Sequence, residues 1–258
     1  LMTEKPVICR VNGMRIGGGQ EIGMACDFTI TSDLANFGQA GPKHGSAPVG
    51  GATDFLPLFV GIENAMLSAT LCEPWSAYKA KRLGLVTETI KVAKYHNNFI
   101  ANPLVETEHY LKEGQIVFGD FKVGKEKETA KAILNECEID LTLLDNAVNS
   151  MITSLVYTMP GCLIKTVEEF RKFKLMHWEK NKESNRSWLS LNMMTEAKAG
   201  FRAFNEGPKD NREINFIKLR QELGKNCAWD NDLIASIMPQ AKESLNNSEI
   251  LRYTDVSP

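Results

Sequence analysis

The chain has 258 residues, of which 43% are hydrophobic and 24% charged, and its formal net charge is −2 at neutral pH. That balance supplies a full core and suits one large domain or a domain with a helical extension. It argues against a nucleic-acid partner, which calls for a basic stripe, and the short basic run at residues 171–174 reads as a solvated helix face.

In chain order, "PVICRV" (6–11) predicts a buried strand closed by the turn Asn12-Gly13. It opens within six residues with nothing earlier to pack beside it, which predicts a piece of a longer protein, truncated at its N-terminus. A short helix is expected from near Gly19, with Ile22, Met24 and Ala25 as its apolar members, followed by a strand at 26–31. Beyond the glycine-rich loop 37–55, residues 54–61 and 63–71 predict two helices separated by Gly61. Ser76 and Gly84 predict the N-cap and stop of another. Residues 85–90 read as one more strand.

From about residue 125 the pattern becomes helical. Apolar residues recur at three and four spacings through 128–157, and Pro160-Gly161 breaks the run. Helices are expected at 163–180, 187–205 and 211–223, with Phe201 and Phe204 in the core. The expected division is therefore 1–125 and 126–258.

The six cysteines (Cys9, Cys26, Cys72, Cys137, Cys162, Cys227) contain no C-x-x-C and read as reduced thiols. His44, His96, His109 and His177 lack zinc-type spacing, so no metal site is expected. No window approaches the run of about 20 apolar residues that a membrane span needs. No leader is visible in these residues. The expected location is the cytoplasm, with no membrane partner.

The chemistry-bearing stretch is "GGGQE" (17–21). Glycines permit close backbone approach to a ligand, and a helix N-terminus offers unpaired N–H groups with partial positive charge. Together they suit an oxyanion that forms during reaction. The dinucleotide fingerprint and the phosphate loop do not fit. A turn that only connects strand to helix is the alternative reading. Glu21, in the first helical turn, either complements the helix dipole or holds water beside that site as general base or acid.

In these residues, and in "KPVICRVNGMRIGGGQEIGMACDFTITSDLANFGQ" as a whole, the sequence resembles the crotonase (enoyl-CoA hydratase/isomerase) superfamily. The likeness runs in register from Lys5 to about Val86 and resumes weakly at 196–207. It implies an α/β fold, a ββα spiral followed by a C-terminal helical oligomerisation region. Residues 1–125 would be the C-terminal part of the core and residues 126–258 the helical region. It implies an acyl-CoA substrate, no cofactor beyond the coenzyme A that the substrate carries, and a homo-oligomer, trimer or hexamer. The Gly18 N–H matches one of the two donors that polarise the thioester carbonyl, the other lying upstream of this chain. Glu21 matches one of the two catalytic acids of ordinary hydratases.

The second acid of those hydratases matches Gly41, so simple two-glutamate hydration does not fit. The loop "GQAGPKHGS" is also similar to that of dihydroxynaphthoyl-CoA synthases, but their catalytic aspartate matches Pro48 and they lack a glutamate at the position of Glu21. The loop and the stretch 187–216 best resemble the ring-opening crotonases of anaerobic aromatic degradation. That likeness implies water addition to a cyclic 6-oxo-enoyl-CoA, then cleavage of a ring C–C bond by a second water. An alkene conjugated with both a ketone and a thioester has less need of a second strong acid. Gly41 and Ser46 would then line the substrate pocket, Gly41 sparing room for a ring and Ser46 ordering water. His44 would shuttle a proton or hydrogen-bond the ketone, although a surface role is the plainer reading. Lys43 reads as solvated, Asp54 as a dipole partner and Asp27 as structural. Another crotonase-type hydratase or isomerase, and an inactive crotonase-fold piece, are the alternatives.

Overall fold

β-branched segments alternate with glycine turns at the start of the chain, and the computed structural model winds them into repeated strand–strand–helix turns. The structure describes residues 1–241. One turn runs through β1 (Ile8–Val11), β2 (Arg15–Ile16) and α1 (Gly18–Ala25), and the next through β3 (Phe28–Ser32), β4 (Asn36–Gly38) and α2 (Ala52–Val60). Stacking pairs like with like. β1 lies parallel to β3, Ile8 opposite Phe28, and β2 lies parallel to β4, Arg15 opposite Phe37. After α3 (Ile62–Leu71), β5 (Trp75–Ser76) closes the second sheet antiparallel to β4. α4 (Ala77–Arg82) begins at Ser76, whose hydroxyl accepts the Lys79 N–H at 3.1 Å, and Gly84 follows its end with φ 90°. β6 (Glu88–Ile90) then completes the first sheet beside β3.

β7 (Ala93–Tyr95) and β8 (Asn98–Ile100) form a hairpin, as do β9 (Leu111–Lys112) and β10 (Gln115–Ile116). α5 (Gly124–Asn135) leads to β11 (Glu138–Ile139), which pairs with β7 and interrupts the helical run expected across 128–157. The reason is tertiary. Glu138 sits opposite Lys94, Asp140 takes an ion pair from Lys94, and the Asp140 carboxylate accepts the Thr142 N–H at 2.8 Å to start α6 (Thr142–Val156).

α7 (Pro160–Asn192) is one helix across the gap expected at 181–186, because no glycine or proline follows Gly161 until Gly200. Proline at its first position costs no hydrogen bond. α8 (Glu196–Glu206), α9 (Phe216–Gly224) and α10 (Asn231–Ser236) follow. No single helix among the described residues is long and apolar enough to cross a membrane.

The chain divides into two compact units, one of residues 1–39 and 48–183, the other of residues 40–47 and 184 onward. The first has its main core around Met24, Phe37, Leu56 and Trp75, with a smaller cluster at Ile30, Val92 and Leu144. The second is built on Ala199, Ala203, Ile214, Leu219 and Ile234. α1 turns Gln20, Gly23 and Met24 inward and leaves Ile22 73% exposed. The core placement expected of Phe201 and Phe204 fails. Phe201 and Phe204 are 42% and 45% exposed, because the buried face of α8 is made of Ala197, Ala199, Gly200 and Ala203.

Candidate functional site

In the first unit, the glycine run sets the start of α1. Gly17 is the N-cap, with φ 58° and ψ −125°, a backbone that suits glycine. Its N–H donates to the Gly38 carbonyl of β4 at 3.0 Å, which ties the turn to the sheet. Gly18 opens the helix. Among the described residues no acceptor meets its N–H, and a Cβ built at Gly18 or Gly19 meets nothing within 4 Å. The helix therefore presents a free donor and its positive end on an open face.

Glu21 follows in the first turn, its own N–H bonded to the Gly17 carbonyl at 3.0 Å. Its Oε1 accepts the N–H groups of Gly50 at 2.9 Å and Ala52 at 3.3 Å, at the start of α2. A side chain at residue 50 would strike the carboxylate, since a Cβ there lies 2.5 Å from Oε2. Burial pushes the Glu21 carboxyl up from the ordinary glutamate range. The two N–H bonds pull it back, the nearby Asp54 charge adds to the upward push, and the net shift is upward. Such a carboxyl, held in place and partly desolvated, can both take and return a proton.

Sequence reading missed the supports of this helix. Arg15 is 3% exposed beneath α1, donating to Gln20 Oε1 and Thr29 Oγ1 at 2.8 Å each, with its guanidinium over the Phe37 ring at 5.3 Å. It fixes Gln20, the residue before Glu21. A lone arginine in an apolar stretch is the only signal in the sequence. Asp54 is 2% exposed in the first turn of α2, and its Oδ1 accepts from Asn181 Nδ2 at 2.6 Å. Nothing local could reveal that partner, 127 residues away in the chain. Asp27 is structural as expected, a nearly buried ion pair with Arg171 at 2.6 Å.

In the second unit, Gly41, His44 and Ser46 share the loop 40–47. The Gly41 carbonyl accepts the N–H groups of His44 at 2.9 Å and Ser46 at 2.8 Å. A Cβ at Gly41 would lie 2.7 Å from the Ser46 carbonyl oxygen. The close approach of two backbone segments leaves no room for a Cβ at residue 41. The Ser46 hydroxyl turns to the Ala47 carbonyl at 3.4 Å. The His44 ring meets Phe204 edge to face at 4.9 Å, and no partner meets its Nδ1 among the described residues. Burial lowers its pKa, Glu213 opposes that and Lys43 assists it, so the imidazole is neutral near pH 7. Lys43 faces Glu213 at 3.8 Å.

Thus Gly18 and Glu21 stand together on α1 in one unit, while Gly41, His44 and Ser46 lie on one loop in the other. Cys9, Cys26, Cys137, Cys162 and Cys227 are thiols outside any disulfide.

Comparison with known proteins gives three kinds of likeness. Residues 1–152 match the family model described as enoyl-CoA hydratase/isomerase. A 6-oxocyclohex-1-ene-1-carbonyl-CoA hydrolase of Thauera aromatica is 60% identical over 94% of the chain, and one of Geobacter metallireducens is 59% identical over 94%. The chain spans 65% and 64% of the length of these relatives. Among solved structures, an enoyl-CoA hydratase of Mycobacterium avium subsp. paratuberculosis superposes with a TM-score of 0.54 at 21% identity, covering 79% of this chain and 63% of that one. A carnitinyl-CoA dehydratase of Mycobacterium avium gives a TM-score of 0.54 at 18% identity, covering 79% and 62%. The stacked ββα turns are thus those of the crotonase fold, and the chain belongs to the enoyl-CoA hydratase/isomerase family.

Proposed function

We propose that the protein carrying this chain hydrolyses 6-oxocyclohex-1-ene-1-carbonyl-CoA to 3-hydroxypimeloyl-CoA. The observation that carries the proposal is the free Gly18 N–H at the open start of α1, three residues ahead of the anchored Glu21 carboxylate. The 60% identity to a hydrolase of that name supplies the substrate.

In the first step water adds to the alkene carbon β to both carbonyls, and its electrons move into the thioester as an enolate. Glu21 takes the proton from that water, and the α carbon is then protonated. In the second step another water attacks the ring ketone. The bond between that carbon and the α carbon breaks, the ketone becomes a carboxylic acid, and the electrons again enter the thioester enolate, whose α carbon takes a proton. Two waters enter and nothing leaves. Both steps place negative charge on the same thioester oxygen, so one donor at Gly18 serves both. The ketone activates the alkene, which reduces the demand for a second acid.

For the loop 40–47 the roles are those expected from the resemblance. The neutral His44 hydrogen-bonds the ketone or carries a proton, Ser46 orders water, and Gly41 belongs to the substrate pocket. The substrate brings its own coenzyme A and no further cofactor is needed. The reaction belongs to anaerobic aromatic degradation. Homo-oligomers, trimers or hexamers, are part of the same reading, supported by Phe170, Phe173 and Met176, which stand 70%, 59% and 61% exposed at three-residue spacing on α7.

Mass-spectrometric product analysis with the cyclic 6-oxo-enoyl-CoA tests the proposal. A linear product two waters heavier than substrate is expected. A hydrated ring alone, or preference for crotonyl-CoA, would replace it with a generic crotonase hydratase. Absence of turnover would point to an inactive member.

A further inference from the structure

α1 and α2 pack together with a carboxylate in the first turn of each, Glu21 and Asp54. They are brought close by the backbone. Glu21 Oε1 is held by the N–H groups of Gly50 and Ala52, and Asp54 lies two residues beyond Ala52, about 3 Å further along the helix axis. Asp54 is 2% exposed. Asn181 donates to its Oδ1 at 2.6 Å, while among the described residues no donor meets Oδ2. A carboxylate so buried, with one oxygen unmet, is costly to the fold and asks for a role beyond complementing a helix dipole.

Resting on the reading of Glu21 as acid and base, we propose that Asp54 is a positioning residue for Glu21: the two form a charge-coupled carboxylate pair that makes Glu21 a proton donor as well as an acceptor. A like charge at short range favours the protonated partner. The upward shift of Glu21 has the Asp54 charge among its causes. Other charged groups around α1 are engaged elsewhere. Arg15 of β2 is turned to Gln20 and Thr29, Lys174 of α7 donates to the Cys26 carbonyl at 2.7 Å, and Asp27 is paired with Arg171. The pair thus offers one answer to the missing acid at residue 41. The proton that Glu21 removes from water is retained long enough to be returned to the α carbon, and no second acid is consumed.

The test is a carboxyl ¹³C NMR titration of Glu21 in the full chain, with its signal assigned through Glu21→Gln. In the parent chain the Glu21 midpoint should lie above the ordinary glutamate range. It should fall in Asp54→Asn, the direction expected when a neighbouring like charge is removed. Asp54→Glu, which keeps the charge, should hold the midpoint up. An unchanged midpoint in a folded Asp54→Asn protein overturns the proposal. Should that variant not fold, the parent chain decides alone: a Glu21 curve with a second inflection supports the pair, and a single-phase curve overturns it. None of these outcomes depends on turnover. Ring opening that survives Glu21→Gln would instead remove the functional reading and leave the titration result standing.

Discussion

Gly41 stands where the resemblance puts a second acid, and its carbonyl is shared by the His44 and Ser46 N–H groups in one tight turn. With a Cβ position 2.7 Å from the Ser46 carbonyl oxygen, a glutamate at residue 41 forces the loop to move. Gly41→Glu should therefore destabilise the second unit by about 1–3 kcal/mol, the usual cost of overpacking, and should not create ordinary hydratase activity. Thermal unfolding and a crotonyl-CoA hydration assay check the two halves of that statement. His44 makes a second prediction. Burial lowers its folded pKa, so the unfolded chain binds the proton more tightly. Stability is whole above the unfolded value of about 6.5 and declines as pH falls below it. Urea midpoints taken across that range should show the decline, and His44→Gln should flatten it.

Among elements, the first strand–helix turn is pinned to α7 by Arg171. Its guanidinium bonds both Asp27 oxygens and the Thr3 and Lys5 carbonyls. Burial raises the Asp27 carboxyl, but the Arg171 bonds, the Val7 N–H and Lys174 outweigh it, and the net shift is downward. The pair therefore contributes stability above the unfolded aspartate value of about 3.9 and loses it as pH falls through the lower folded value. Arg171→Leu strands a nearly buried carboxylate and should cost about 3–5 kcal/mol, read as a lower urea midpoint at pH 7. Local signals were legible in the sequence: the glycine run, Glu21 in a first turn, the Ser76 cap and the stop at Gly84 all depend on residues within a few positions. What escaped is set by distant partners. The β11 strand inside a helical pattern exists because Ala93 and Lys94 pair with it, and Asn181 reaches Asp54 only in the folded chain. Periodicity also could not reveal that alanines and a glycine, rather than Phe201 and Phe204, form the buried face of α8.

For the whole molecule, Phe170, Phe173 and Met176 stand exposed on α7 and are apolar surface that self-association would cover. If they mediate the proposed self-association, Phe173→Lys should shift sedimentation toward the monomer without lowering the urea midpoint. A distribution unchanged by that variant removes this surface from the assembly. In the proposed reaction Glu21, anchored beside the free Gly18 N–H, moves the protons of ring opening. The most direct measurement is the turnover rate on the cyclic 6-oxo-enoyl-CoA for the protein and its Glu21→Gln form, with the linear product identified by mass. A loss of roughly 10²–10⁴-fold is expected, the range for removing a general acid–base group. A glutamine form that opens the ring at the parent rate would contradict it.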